Sequence, residues 1–228
     1  MYWRYKRHHV MRRGIVAVRR FFWTLKYRPE DPSKEYEFYR YRTEAGHPLR
    51  LDECPCDAWF VDYMTSREIR NKSIFHLGTG LHHAVGLGSH LNKLDNHILG
   101  ITTNVREHAR YLKLIIEHRE LEKNYKVLLT DLYCLHDGCL PRFDVATLFH
   151  LCEFPPENYG RRSLVWHDDA SVLALLIRHV NVAGTVLFYD GSRAWREARR
   201  LVEDAVRRGD LAQRDQYQGL LVYGKTRL

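Results

Sequence analysis

No run of apolar residues in this 228-residue chain approaches the roughly 18–20 that a membrane-spanning helix needs. The best N-terminal candidate, Gly14 to Val18, is cut off by Arg19 and Arg20, so neither a signal-peptide core nor a twin-arginine leader is convincing. Cysteine is scarce, five residues at irregular spacing, and an odd number excludes a fully paired disulfide framework. Only Cys54-Pro55-Cys56 is close-set, and a single intervening residue makes a strained zinc or disulfide signature. The expectation is therefore a reduced cytoplasmic interior with no metal site. Acid is missing from one stretch alone: residues 1–28 hold nine of the 36 Lys and Arg and no Asp or Glu. The other 200 residues are close to neutral, so the net charge of +8 belongs to an N-terminal arm. Internal repeats are also absent.

What is present is the composition of a folded globular protein, 45% apolar and 28% charged, which excludes general disorder. In the arm, residues 1–28, Ile15, Val18, Phe22 and Leu25 recur at helical spacing among Arg, Lys and aromatic residues. This predicts a basic amphipathic helix suited to an anionic membrane surface or a protein partner, with nucleic acid disfavoured; packing on the main body is the bland alternative. Pro29 to Ser33 ends the helix. Residues 29–72 read as a cap and linker segment, with a helix over Asp57 to Ile69 that Asp57 caps.

From Ser73 the pattern becomes regular. Short apolar runs occur at Ile74–Leu77, His97–Thr102, Lys126–Thr130, Phe143–Phe149 and Thr185–Tyr189. Helical patterns fill about 81–94, 105–121, 168–180 and 192–208 between and after them. This alternation predicts an α/β domain over residues 73–228, a Rossmann-like, mostly parallel sheet with helices on both faces. Tyr217 to Thr226 reads as one last antiparallel strand near an edge.

Five segments in order carry a resemblance. Ile74-Phe-His-Leu-Gly78-Thr-Gly80 is a strand running into a glycine pair. His97-Ile-Leu-Gly-Ile-Thr102-Thr-Asn104 is a second strand running into a helix, and Val127-Leu-Leu-Thr-Asp131-Leu132 is a third strand ending in an acid. Phe143-Asp-Val-Ala-Thr-Leu-Phe149-His150-Leu-Cys-Glu153-Phe154 and Val182-Ala-Gly184-Thr-Val-Leu-Phe188 complete the set. Together they resemble the class I S-adenosylmethionine-dependent methyltransferases, the fourth being similar to the small-molecule branch of that family. The resemblance implies S-adenosylmethionine as cofactor and a small-molecule acceptor. It places the cofactor against His76, Gly78, Gly80, Thr102, Asp131, Leu132 and Phe149, with His150 as a candidate general base.

The residue chemistry is consistent with that placement. Glycines at 78 and 80 allow a tight turn and close backbone approach, and the following helix offers unpaired N–H groups to a carboxylate. Two departures stand out. Thr102 occupies the position where an acid normally accepts both ribose hydroxyls, and His76 replaces the acid that supports the loop. These favour, as the alternative, a non-catalytic member of the fold. His76, His82 and His83 gather near the loop, with His150 at the end of the fourth strand facing the same crevice, and His76 and His150 could ligate a metal. In the bland alternative His82 and His83 cap or line the first helix and His76 packs against a neighbouring strand. Glu153 could face the crevice or solvent, Asp190 the pocket or a helix N-cap, and Asp168 reads as a helix cap. Cys134, Cys139 and Cys152 lack a partner base.

Overall fold

The structure, a computed structural model, describes residues 46–154 and 166–227; the arm and the first part of the cap segment lie outside them. Seven strands form one sheet: β1 (Ser73–Leu77), β2 (His97–Thr102), β3 (Tyr125–Leu129), β4 (Phe143–Thr147), β5 (Val180–Tyr189), β6 (Leu211–Tyr217) and β7 (Leu220–Lys225). Their spatial order is β3-β2-β1-β4-β5-β7-β6. The first five run parallel, and β7 pairs antiparallel with both β5 and β6. The order reverses direction between β1 and β4, where an open α/β sheet leaves a crevice at its strand ends.

The apolar runs become central strands because both faces of the sheet are covered. Ile74, Phe75, Val186, Leu187 and Phe188 are fully buried, each such side chain stabilising the fold by about 1.5–3 kcal/mol of transfer free energy. On one face, helices α4 (Asp169–His179) and α5 (Trp195–Arg207) pack Leu175, Leu176 and Val202 against Phe75, Ala146 and Phe188. On the other, α1 (Cys56–Ser66) drives Phe60 and Met64 into a layer with Ile74, Tyr125 and Leu187. Helix α2 (Ala84–Leu91) lies close on α1, since a Cβ on Gly88 would stand 2.6 Å from both Val61 methyl groups. Helix α3 (Val105–Glu117) buries Tyr111 and Leu114 and is followed by a 3-10 turn at Arg119–Lys123. The expected α/β fold and its parallel sheet are present.

Three element readings change. The C-terminal segment is a hairpin of two strands: β7 is the expected antiparallel strand near the edge, and the unexpected β6 forms the edge beyond it. Helix α1 starts at Cys56 behind Pro55, so Asp57 is not its cap; the carboxylate turns inward instead. Asp190 does not cap α5, which begins at Trp195 after Ala194. Asp168, by contrast, caps α4 in a reciprocal box with Ser171. Among the described residues, no helix is long and apolar enough to cross a membrane.

Candidate functional site

The end of β1 is a dense polar cluster. Gly78 and Gly80 both have left-handed backbone, φ 81° and 56°, which only glycine adopts without strain. Between them Thr79 is buried, and its hydroxyl has no partner among the described residues. His76 is buried one turn of the strand earlier, with Nδ1 2.7 Å from the Thr147 hydroxyl on β4. Its Nε2 faces Asp57 Oδ2 at 3.7 Å, beyond hydrogen-bond range, and has no other partner among the described residues. Thus Asp57 supplies an acid beneath the loop where the sequence shows His76. Burial alone would raise the Asp57 carboxyl, but His76, His82 and His150 around it hold it below the usual carboxylate range.

His82 and His83 take structural positions. The His82 imidazole accepts from the Ala84 N–H at the start of α2, and its ring lies over Gly80, where a Cβ would come 2.3 Å from Nε2. His83 is buried; its Nε2 is 3.0 Å from the Glu107 carbonyl, and its Nδ1 is 2.8 Å from the Tyr125 hydroxyl. A carbonyl can only accept, so Nε2 donates, and Nδ1 accepts from Tyr125. Burial outweighs the help of Glu107 and pushes His83 down to about 4, fixing this neutral tautomer.

At the end of β2, Thr102 is not a free ribose ligand. Its hydroxyl donates to Glu107 Oε2 at 2.6 Å and accepts the Asn104 N–H at 3.0 Å. Asn104 caps α3 by accepting from the backbone of Arg106 and Glu107. In an ordinary capping box, Glu107 would turn back to the Asn104 N–H. Thr102 takes that role, leaving the Glu107 carboxylate at the strand end, buried, with His47 Nδ1 3.3 Å from Oε1. An acid is therefore present at this strand end, carried by the helix instead of the strand. The Asn104-x-x-Glu107 spacing was its only sequence signal.

The remaining expected residues separate. Asp131, at the end of β3, is buried and accepts the Tyr133 N–H to cap a short 3-10 turn that begins at Leu132, itself buried. Phe149 is a core residue, edge-on to Phe60 of α1. His150 does reach the loop, its Cδ2 lying 3.8 Å from where a Cβ on Gly78 would project. Glu153 faces this cluster, accepting from His150 Nδ1 at 3.0 Å, Ser192 Oγ at 2.7 Å and the Arg193 N–H at 3.2 Å.

On its other nitrogen, His150 meets a pair of cysteines that sequence spacing could not connect to it. Nε2 stands 3.8 Å from both Cys54 Sγ and Cys56 Sγ, which are 3.5 Å apart. The hydrogen bond between the two thiols holds Cys54 down at about 5 against burial, with His150 assisting. The same bond, with burial, raises Cys56. Burial would lower His150, but Cys54 and Glu153 raise it to about 10.

No protein-family model and no curated protein sequence matches this chain. Solved structures do match in fold. An S-adenosylmethionine-dependent methyltransferase from Aquifex aeolicus aligns at TM-score 0.53 and 15% identity, over 87% of this chain and all of its own. A protein provisionally assigned as an RNA methyltransferase from Pyrococcus horikoshii aligns at 0.52 and 15%, over 85% and 98%. The magnesium protoporphyrin IX methyltransferase of Synechocystis, solved with bound S-adenosylmethionine, aligns at 0.51 and 11%, over 85% and 92%. The fold is that of the class I S-adenosylmethionine-dependent methyltransferases.

Proposed function

We propose that the protein is an S-adenosylmethionine-dependent methyltransferase acting on a small-molecule acceptor. The observation that carries this reading is a left-handed glycine turn at the end of β1, at the point where the strand order reverses, with a buried acid at the end of the neighbouring β2. The backbone around Gly78 and Gly80 would approach the methionine part of the cofactor. Glu107 would accept the ribose hydroxyls in the place assigned to Thr102, and Asp131 would lie toward the adenine. The Thr79 hydroxyl, without a partner among the described residues, is a donor that such a ligand would satisfy. The cofactor supplies an already activated methyl group, so the chain need only hold the acceptor in line. Fold likeness leaves the acceptor open, since one neighbour is assigned to RNA and another to a porphyrin. The small-molecule assignment rests on the Phe143–Phe154 segment.

A non-catalytic role for the fold is the second reading. It is favoured by the His82 ring over Gly80 and by the engagement of Glu107 with Thr102 and His47. Titration calorimetry with S-adenosylmethionine and S-adenosylhomocysteine separates the two. Saturable heat at sub-millimolar ligand is the expected result. A flat titration with both would leave the non-catalytic reading standing.

A further inference from the structure

We propose that Cys54, Cys56 and His150 form a zinc(II) site, with Glu153 orienting the imidazole. The inference is independent of cofactor binding. The three donor atoms lie within 4.8 Å of one another. Zinc–sulfur bonds of about 2.3 Å and zinc–nitrogen bonds of about 2.0–2.1 Å, at tetrahedral angles, require S···S edges of about 3.8 Å and S···N edges of about 3.6 Å. The triangle here has edges of 3.5, 3.8 and 3.8 Å. It therefore matches the face of a zinc tetrahedron before any ion is placed in it.

The surroundings complete the chemistry. Metal-bound imidazole characteristically donates its other N–H to a carboxylate, which sets the tautomer and strengthens the ligand. His150 Nδ1 does so to Glu153, which is itself fixed by Ser192 and Arg193. Two thiolates neutralise a divalent cation, and the remaining charge, on Glu153, is met by its hydrogen bonds from His150, Ser192 and the Arg193 N–H. Two thiols and an imidazole form a soft donor set that favours zinc over magnesium or calcium. The cysteines converge because the chain turns before α1, the Cys54 N–H donating to the Arg50 carbonyl at 2.8 Å, and Pro55 then opens the helix. A single nucleophilic cysteine would need His150 but not the second thiol. Asp57 lies beside the triangle, its Oδ2 facing His76 and His82 and its Oδ1 accepting from the Cys56 thiol at 3.7 Å, a proton that zinc would displace. Three protein donors leave the fourth position for water or an exogenous group.

The test uses the full-length protein, reduced and stripped of metal, titrated with cobalt(II) and then zinc(II). We expect a thiolate-to-cobalt charge-transfer band saturating at one ion per chain and lost on adding one equivalent of zinc. Cys54→Ser and Cys56→Ser should each remove most of that band. Glu153→Gln should keep it, with affinity lower by about 10–100-fold. Peptide mapping of thiol alkylation tests the site without any variant: zinc should protect Cys54 and Cys56 and leave the exposed Cys139 reactive. The site is refuted if no charge-transfer band forms, or if the band survives in the Cys54→Ser/Cys56→Ser double variant. Alkylation of Cys54 and Cys56 at equal rates with and without zinc refutes it too.

Discussion

Glu107 belongs to a helix, yet its carboxylate stands at a strand end because Thr102 has taken over its capping duty. If the cofactor binds as proposed, Glu107→Gln removes the charge from two ribose hydrogen bonds while keeping the shape. The expected loss is about 1.5–3 kcal/mol, or roughly 10- to 150-fold in S-adenosylhomocysteine affinity by calorimetry. Unchanged affinity in a folded variant would take Glu107 out of the site. The glycine turn was legible in the sequence, since paired glycines after a buried strand have few other uses. Glu107 was not, because nothing in a linear chain says whether a glutamate three residues past an Asn cap will turn back or reach forward. His150 was singled out, but its cysteine partners lie 94 and 96 residues away, and only the folded sheet end joins them.

Elements were legible where a local signal agreed with the burial pattern. Helix α4 is one case: Asp168 precedes a dense apolar run, and the structure closes a capping box from it to Ser171. Asp168→Ala should cost about 1 kcal/mol, seen as a lower urea midpoint with an unchanged slope. No shift in midpoint would mean that tertiary packing alone holds the start of α4. Strand β6 shows the opposite case. Leu-Ala-Gln-Arg-Asp-Gln-Tyr fully buries only Leu211 and carries a register shift between Gln213 and Asp215, so no apolar run marks it. Its turn is Gln218-Gly219, with Gln218 in left-handed backbone, in place of the Asn-Gly or Asp-Gly pair that would announce a hairpin.

For the whole molecule, a mostly parallel sheet with helices on both faces followed from the alternation of strands and helices, and the antiparallel last strand was read too; its hairpin partner β6 was not. Stability toward acid is also a property of the whole molecule, and His83 contributes to it. Free histidine titrates near 6.5, whereas His83 is held down at about 4, so between these values the unfolded chain binds more protons. Stability should therefore fall as pH drops from about 6.5 to about 4, with a contribution on the order of 2 kcal/mol from this residue. Urea midpoints across that range check it, and His83→Asn, tolerant of the left-handed backbone there, should flatten the curve. An equally steep decline in the variant would assign the effect to other groups.

The placement of β7 has a consequence for how the chain reaches its final form. Among the described residues, β7 is the strand that pairs on the outer side of β5, whose residues Val186, Leu187 and Phe188 are fully buried in the finished sheet. Until Leu220–Lys225 has been synthesised, the row of N–H and C=O groups along this buried apolar stretch stands open. Closure of the sheet thus waits for the hairpin, and a product truncated before Leu211 would carry a sticky, unfinished edge in place of the polar one that β6 provides.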